Sequence, residues 1–139
     1  NTQIYNRCIG TRSCAVYCPY EVRYFNYNDH TWDSPLDQQL NPDVSVREKG
    51  VMEKCTFCIQ RVRQAKDAAK DDGRRRVRDG EVQPACVQTC PSQAMAFGDR
   101  NDPESKVSQT LDGPRAYRVL DELNTKSSVV YLKKVGTEA

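Results

Sequence analysis

At 139 residues the chain has room for one domain and not comfortably for two. Apolar residues make up 37% and charged residues 29%, so the core should be modest. The formal charge of +2, from 21 basic and 19 acidic residues, excludes the broad basic field that nucleic-acid binding requires. The longest apolar runs are a few residues, too short for a membrane-spanning helix.

In chain order, residues 1–18 read as loop with one short helical turn. Pro19 cannot continue a helix and pushes Cys18 out of the α region. Val22 to Phe25 alternates well enough for a short strand, residues 26–43 read as an irregular connection, and Val44 to Arg47 as another short strand. From Glu53 to about Asp71 the pattern is helical, with Ile59, Val62, Ala65 and Ala69 in a thin apolar stripe and Gly73 as the stop. Asp79-Gly80 marks a turn. Cys86 to Cys90 reads as a second helical turn ended by Pro91, and Ala94 to Phe97 as a strand. Polar loop follows over 99–113, with a short helix around Val107. Pro114 to Leu123 reads as a short amphipathic helix opened by proline, and Ser128 to Val135 as a strand.

The chemistry lies in seven cysteines. An odd number argues against a closed disulfide framework. Cys8 to Pro19 reads C-x2-T-x2-C-x3-C-P; with cysteine at Thr11 it would be the bacterial ferredoxin run whose thiolates hold an iron–sulfur cluster. Cys55-x2-Cys58 and Cys86-x3-Cys90-Pro91 form a second set with the same C-x3-C-P ending. C-x2-C wraps successive sulfurs around one cube, and C-x3-C spans about one helical turn, its last cysteine commonly serving the other cluster of a pair. A cluster would also cross-link a chain short of core, because metal binding energy becomes folding energy.

Thr11 leaves the first site one ligand short, since a hydroxyl does not ionise as a thiol does. Ligand softness favours a [3Fe–4S] centre at Cys8 and Cys14 over a [4Fe–4S] cube whose unique iron takes hydroxide or Thr11. A zinc ribbon built from Cys55, Cys58, Cys86 and Cys90 is the competing reading, and it leaves Cys8, Cys14 and Cys18 unused. His30 reads as a surface loop residue. Trp32, Tyr17, Tyr20 and Tyr24 read as packing residues that shield a cluster from water. Lys54 and Arg12, beside ligands in sequence, are candidates for raising potential by positive charge; plain solvent exposure is the other reading. The arginines of 74–78 are balanced by nearby acids, which fits a solvated hairpin or a docking surface.

Both cysteine runs, with Tyr5-Asn6-Arg7, Tyr20 to Asn26, Asn41 to Arg47, Gly50 to Lys54, Ser92-Gln93-Ala94, Phe97-Gly98-Asp99 and Leu123-Asn124-Thr125, carry a resemblance over nearly the whole chain. The chain resembles the C-terminal half of the four-cluster ferredoxin-type subunits that accompany molybdopterin oxidoreductases such as DMSO, nitrate and polysulfide reductases. It is more similar still to the iron–sulfur subunit of bacterial alternative complex III. The resemblance implies an α+β ferredoxin-like domain over 1–139, with short strands, short helices and long loops, forming half of a four-cluster unit. It implies a non-catalytic relay of single electrons between membrane quinol-oxidising and multihaem cytochrome subunits, at the periplasmic, positive face of a bacterial membrane. Three [4Fe–4S] centres and one [3Fe–4S] centre are implied for the full subunit.

On the family's pairing scheme, Cys8 and Cys14 bind the [3Fe–4S] centre with an upstream cysteine, and Cys18 completes an upstream cube. Cys55, Cys58 and Cys86 take one [4Fe–4S] cube, and Cys90 completes another. The missing partners are expected upstream of Asn1, in the same subunit. A self-contained alternative also closes: Cys8, Cys14 and Cys90 for one [3Fe–4S], and Cys18, Cys55, Cys58 and Cys86 for one [4Fe–4S]. Three functions are therefore open: a relay in a quinol-oxidising complex, an electron-transfer subunit of a molybdopterin reductase, and a zinc-stabilised interaction module.

Overall fold

Short elements joined by long loops make up this chain; the computed structural model describes residues 2–136. The ends of the expected 1–139 domain, residue 1 and residues 137–139, lie outside the described residues. The chain divides into two compact units, Asn1–Gln64 and Ala65–Ala139. Short strands and few helices are compatible with an α+β class.

The first unit opens with a 3-10 turn at Tyr5–Arg7, followed by α1, Ser13–Val16. Strand β1, Tyr24–Phe25, pairs antiparallel with β2, Met52–Glu53, with Tyr24 opposite Glu53 and Phe25 opposite Met52. The pairing extends through Asn26, whose N–H donates to Val51 and whose carbonyl accepts from Gly50. Met52 is fully enclosed. The strand expected at 44–47 is instead extended chain with no ladder. Its polar groups go elsewhere: the Ser45 hydroxyl meets the Tyr5 hydroxyl, and the Arg47 guanidinium lies 4.5 Å from the Tyr5 ring centroid and 3.3 Å from the Glu53 carboxylate. Residues 52–53 hold the place beside β1.

Helix α2, Ile59–Asp71, runs from the end of the first unit into the second. Its expected start at Glu53 is six residues early, because Phe57 and Cys58 adopt left-handed backbone (φ 56° and 54°), which no right-handed helix accommodates. The expected stripe is its sheltered side, with Ala69 buried. Gly73 (φ +70°) ends the helix, and the Arg74 N–H closes back on the Ala69 carbonyl in a Schellman pattern.

In the second unit the Asp79-Gly80 turn forms as expected, followed by α3, Ala85–Gln88, and α4, Lys106–Leu111. Residues 94–97 make no strand. Residues 114–123 are not one helix: β3, Ala116–Tyr117, pairs with β4, Tyr131–Leu132, and a 3-10 turn follows at Asp121–Leu123. Leu120 at φ 53° breaks any helix there, and the Tyr117 and Tyr131 rings pair across the strands at 5.8 Å. The expected strand over 128–135 shrinks to β4. Among the described residues the buried apolar core is Met52, Ala69 and Val82, with Pro84 and Ser105 also enclosed. No helix among them is long and apolar enough to cross a membrane.

Candidate metal centre

The first cysteine run is held by backbone geometry. Gly10 (φ +74°) sits so close to the Gly50 carbonyl that a Cβ there would collide with it, and would come within 3.2 Å of the Phe25 ring. Arg12, in left-handed backbone, caps α1 with its carbonyl while its guanidinium lies 5.2 Å from the Phe25 ring centroid. These contacts fold the loop carrying Cys8 and Cys14 onto β1 and β2. As a result the Met52 N–H, from a residue 44 positions away, donates to Cys8 Sγ at 3.3 Å. Thr11 is exposed between the two cysteines.

The two C-x3-C-P endings are twins in local structure as well as in sequence. Cys14 lies in α1 and Cys86 in α3, each a four-residue helix. The Cys18 carbonyl accepts from the Glu21 N–H at 3.2 Å and the Cys90 carbonyl from the Gln93 N–H at 3.1 Å, and both Glu21 and Gln93 take left-handed backbone. Each turn then surrounds its sulfur with donors. The Cys18 thiol is held below its ordinary range chiefly by the Val22 N–H, with the Tyr20 and Glu21 amides and the Arg23 charge assisting against burial. The Cys90 thiol is likewise lowered, first by the Ser92 hydroxyl 3.4 Å away and then by the Ala94, Ser92 and Met95 amides. Residues 94–97, expected as a strand, join no ladder.

Cys55 accepts from the Phe57 N–H at 3.4 Å. The carbonyl of Cys58 starts α2 by accepting from Arg61 and Val62. The Lys54 ammonium donates to the carbonyl of Cys55 at 2.9 Å. Cys55 and Cys86 are exposed and the other five cysteines half-buried, and none forms a disulfide. Among the described residues no three Cys, His, Asp or Glu side chains meet as a metal-binding group. The chemistry of four of the sulfurs is nonetheless compatible with an iron–sulfur group: Cys8, Cys18, Cys55 and Cys90 are thiols outside disulfides with N–H or O–H donors that stabilise the anionic thiolate.

The expected shielding by aromatics is corrected. Tyr17 is 84% exposed, Tyr24 and Trp32 are also exposed, and only Tyr20 is half-buried. Ile9 and Val16 on the first run are exposed too. His30 is exposed beside Trp32, as a loop residue. Arg74 is tied to Asp72 and Glu81 at 2.9 and 3.0 Å, while Arg75, Arg76 and Arg78 are solvent-facing to differing degrees along the same turn. Four contributors escaped the spacing argument: Gly10, Gly50, Met52 and Ser92. Of these, Ser92 alone had a signal, a hydroxyl two residues past the second motif's last cysteine.

No family model matches the chain. It is 47% identical over 135 residues to the iron–sulfur cluster-binding subunit of a menaquinone reductase from Nitratidesulfovibrio vulgaris, an alignment covering 96% of this chain and 53% of that protein. A protein of Halobacterium salinarum, named as an iron–sulfur subunit of a dimethyl sulfoxide reductase, is 38% identical over 130 residues, covering 92% of this chain and 42% of that protein. The iron–sulfur subunit 1 of an Hdr-like menaquinol oxidoreductase from Archaeoglobus fulgidus is 36% identical over 137 residues, covering 94% and 45%. All three relatives are named as iron–sulfur subunits of oxidoreductases, and the chain spans about half the length of the curated relatives it matches.

Proposed function

We propose that this chain is part of an electron-relaying iron–sulfur subunit in a membrane-associated, quinone-linked oxidoreductase, with residues 1–139 as one ferredoxin-like region of a longer polypeptide. The observation that carries the reading is the hydrogen bonding of cysteine sulfurs, Met52 N–H on Cys8, Phe57 N–H on Cys55 and the Ser92 hydroxyl on Cys90, with the Cys18 thiol also lowered by neighbouring amides. A zinc ribbon needs four such thiolates, whereas here all seven cysteines stay out of disulfides in a chain similar to iron–sulfur subunits.

Iron–sulfur clusters held on these thiolates would supply one-electron storage at potentials the protein adjusts. Cys8 and Cys14 would hold a [3Fe–4S] centre and Cys18, Cys55, Cys58, Cys86 and Cys90 would serve [4Fe–4S] centres, with further cysteines from the rest of the subunit. The donors around Cys8, Cys18, Cys55 and Cys90 would favour the reduced, more negative state. Lys54, with its ammonium on the Cys55 carbonyl, adds positive charge beside one ligand. Organic chemistry belongs to partner subunits.

Between the two complexes the resemblance suggests, a subunit of a molybdopterin oxidoreductase is supported at least as well as one of alternative complex III, because a relative is named for a dimethyl sulfoxide reductase. The 47% identity to a menaquinone reductase subunit supports the quinone link. The same relatives support a peripheral position, docked through membrane subunits. Multihaem cytochrome partners and a periplasmic face belong to the alternative complex III reading.

The test is low-temperature EPR on the oxidised subunit. A [3Fe–4S]-type signal should be present and should disappear on Cys8→Ser or Cys14→Ser. Thr11→Cys should convert the site to four irons, with loss of that signal and a gain of one iron per subunit. A Thr11→Cys protein with unchanged iron and signal would refute the assignment of that site.

A further inference from the structure

We propose that the Ser92 hydroxyl sets the reduction potential of the cluster bound through Cys90, by donating a hydrogen bond to the ligand sulfur. The inference rests on the iron–sulfur reading above and adds to it a specific tuning residue.

The twin turns make the comparison internal to the molecule. Both follow the cysteine with proline, which has no N–H, so the first residue past the ligand offers no main-chain donor in either turn. Both close with the same N–H to carbonyl bond three residues on and a left-handed residue at that position. They differ two residues past the cysteine: Tyr20 follows Cys18-Pro19, and Ser92 follows Cys90-Pro91. In the second turn the Ser92 hydroxyl lies 3.4 Å from the Cys90 sulfur; the matching position of the first turn is Tyr20, and there the Arg23 charge acts on Cys18 as well.

The direction of the effect follows from elementary chemistry. A metal-bound thiolate carries no proton, so the serine must be the donor in that pair. Reduction places one more negative charge on the iron and its sulfurs. A hydrogen bond to an ionised acceptor is stronger than one to a less charged acceptor, so the hydroxyl stabilises the reduced state more than the oxidised one. Ser92 thus raises the potential. Main-chain amides are common to the twins; the Ser92 hydroxyl at Cys90 and the Arg23 charge near Cys18 make the two sites unequal.

The experiment uses the full subunit in its complex, titrated with dithionite and followed by EPR, with iron and sulfide measured in each variant. Ser92→Thr keeps the hydroxyl; Ser92→Val has the shape of threonine without it, and Ser92→Ala removes it with least bulk. Val and Ala should lower the reduction equilibrium constant of one cluster roughly three- to tenfold, a tenfold change being ~59 mV for one electron. Thr should stay close to the parent, and the other clusters should not move. Equal potentials in the Thr and Val proteins, with all iron present, would overturn the proposal. So would a parallel shift of every cluster, or loss of iron in Val and Ala but not Thr, which would make Ser92 an assembly residue. A parent subunit lacking iron and sulfide would instead overturn the iron–sulfur reading itself.

Discussion

Gly10 concentrates the demands of the first site in one residue. It needs a positive φ and has no space for a Cβ against the Gly50 carbonyl, and through it the loop of Cys8 reaches the Met52 amide. Gly10→Ala should cost about 1–3 kcal/mol in backbone strain alone, before the collision is relieved. Because the strain falls on the loop proposed to carry ligands, the proposed iron at Cys8 and Cys14 should be lost before the secondary structure is. Iron content and far-UV circular dichroism, measured on the same sample, check the order. A Gly10→Ala protein with full iron and unchanged stability would show that the close approach is not needed.

The cap of α4 and the Arg74 turn show how individual elements hold without much core. Ser105 is enclosed; its hydroxyl donates to the Asp99 carbonyl at 2.7 Å and accepts from the Ser108 N–H at 3.1 Å, capping α4. Ser105→Ala leaves both groups unmatched and should destabilise the protein by about 1–2 kcal/mol in urea unfolding, with no change in cluster signals. In the turn after α2, Glu81 accepts from Arg74 and from the Arg78 N–H, and the Arg74 guanidinium holds its carboxyl below the usual range. A depressed folded-state value means that the contribution is present above the unfolded carboxylate range and is lost as pH falls through the lower folded value. The Arg78 amide resonance should therefore titrate below ordinary glutamates, and Glu81→Gln should abolish that titration. The elements legible in the sequence were those with punctuation of known meaning: Pro19 and Pro91 ending the two cysteine turns, Gly73 ending α2, Asp79-Gly80 turning the chain. Two of the misread elements share a cause. Phe57, Cys58 and Leu120 adopt left-handed backbone without being glycine, so nothing in composition marks where α2 begins or why 114–123 is no helix. Residues 94–97 have strand composition but find no partner strand among the described residues.

At the scale of the whole chain, a buried apolar core of Met52, Ala69 and Val82 among the described residues is small for 139 residues. On the proposed reading, clusters attached at the cysteine turns cross-link the segments in place of a large apolar core. The cysteine motifs were legible from spacing, and the donors around them were not, because main-chain amides belong to no residue type. The most direct test is elemental: iron, zinc and acid-labile sulfide measured on the subunit purified without oxygen. Iron and sulfide are expected in comparable amounts, with no stoichiometric zinc and with loss of ordered structure when the iron is removed. A folded subunit carrying zinc, or no metal and no sulfide, would contradict the iron–sulfur reading.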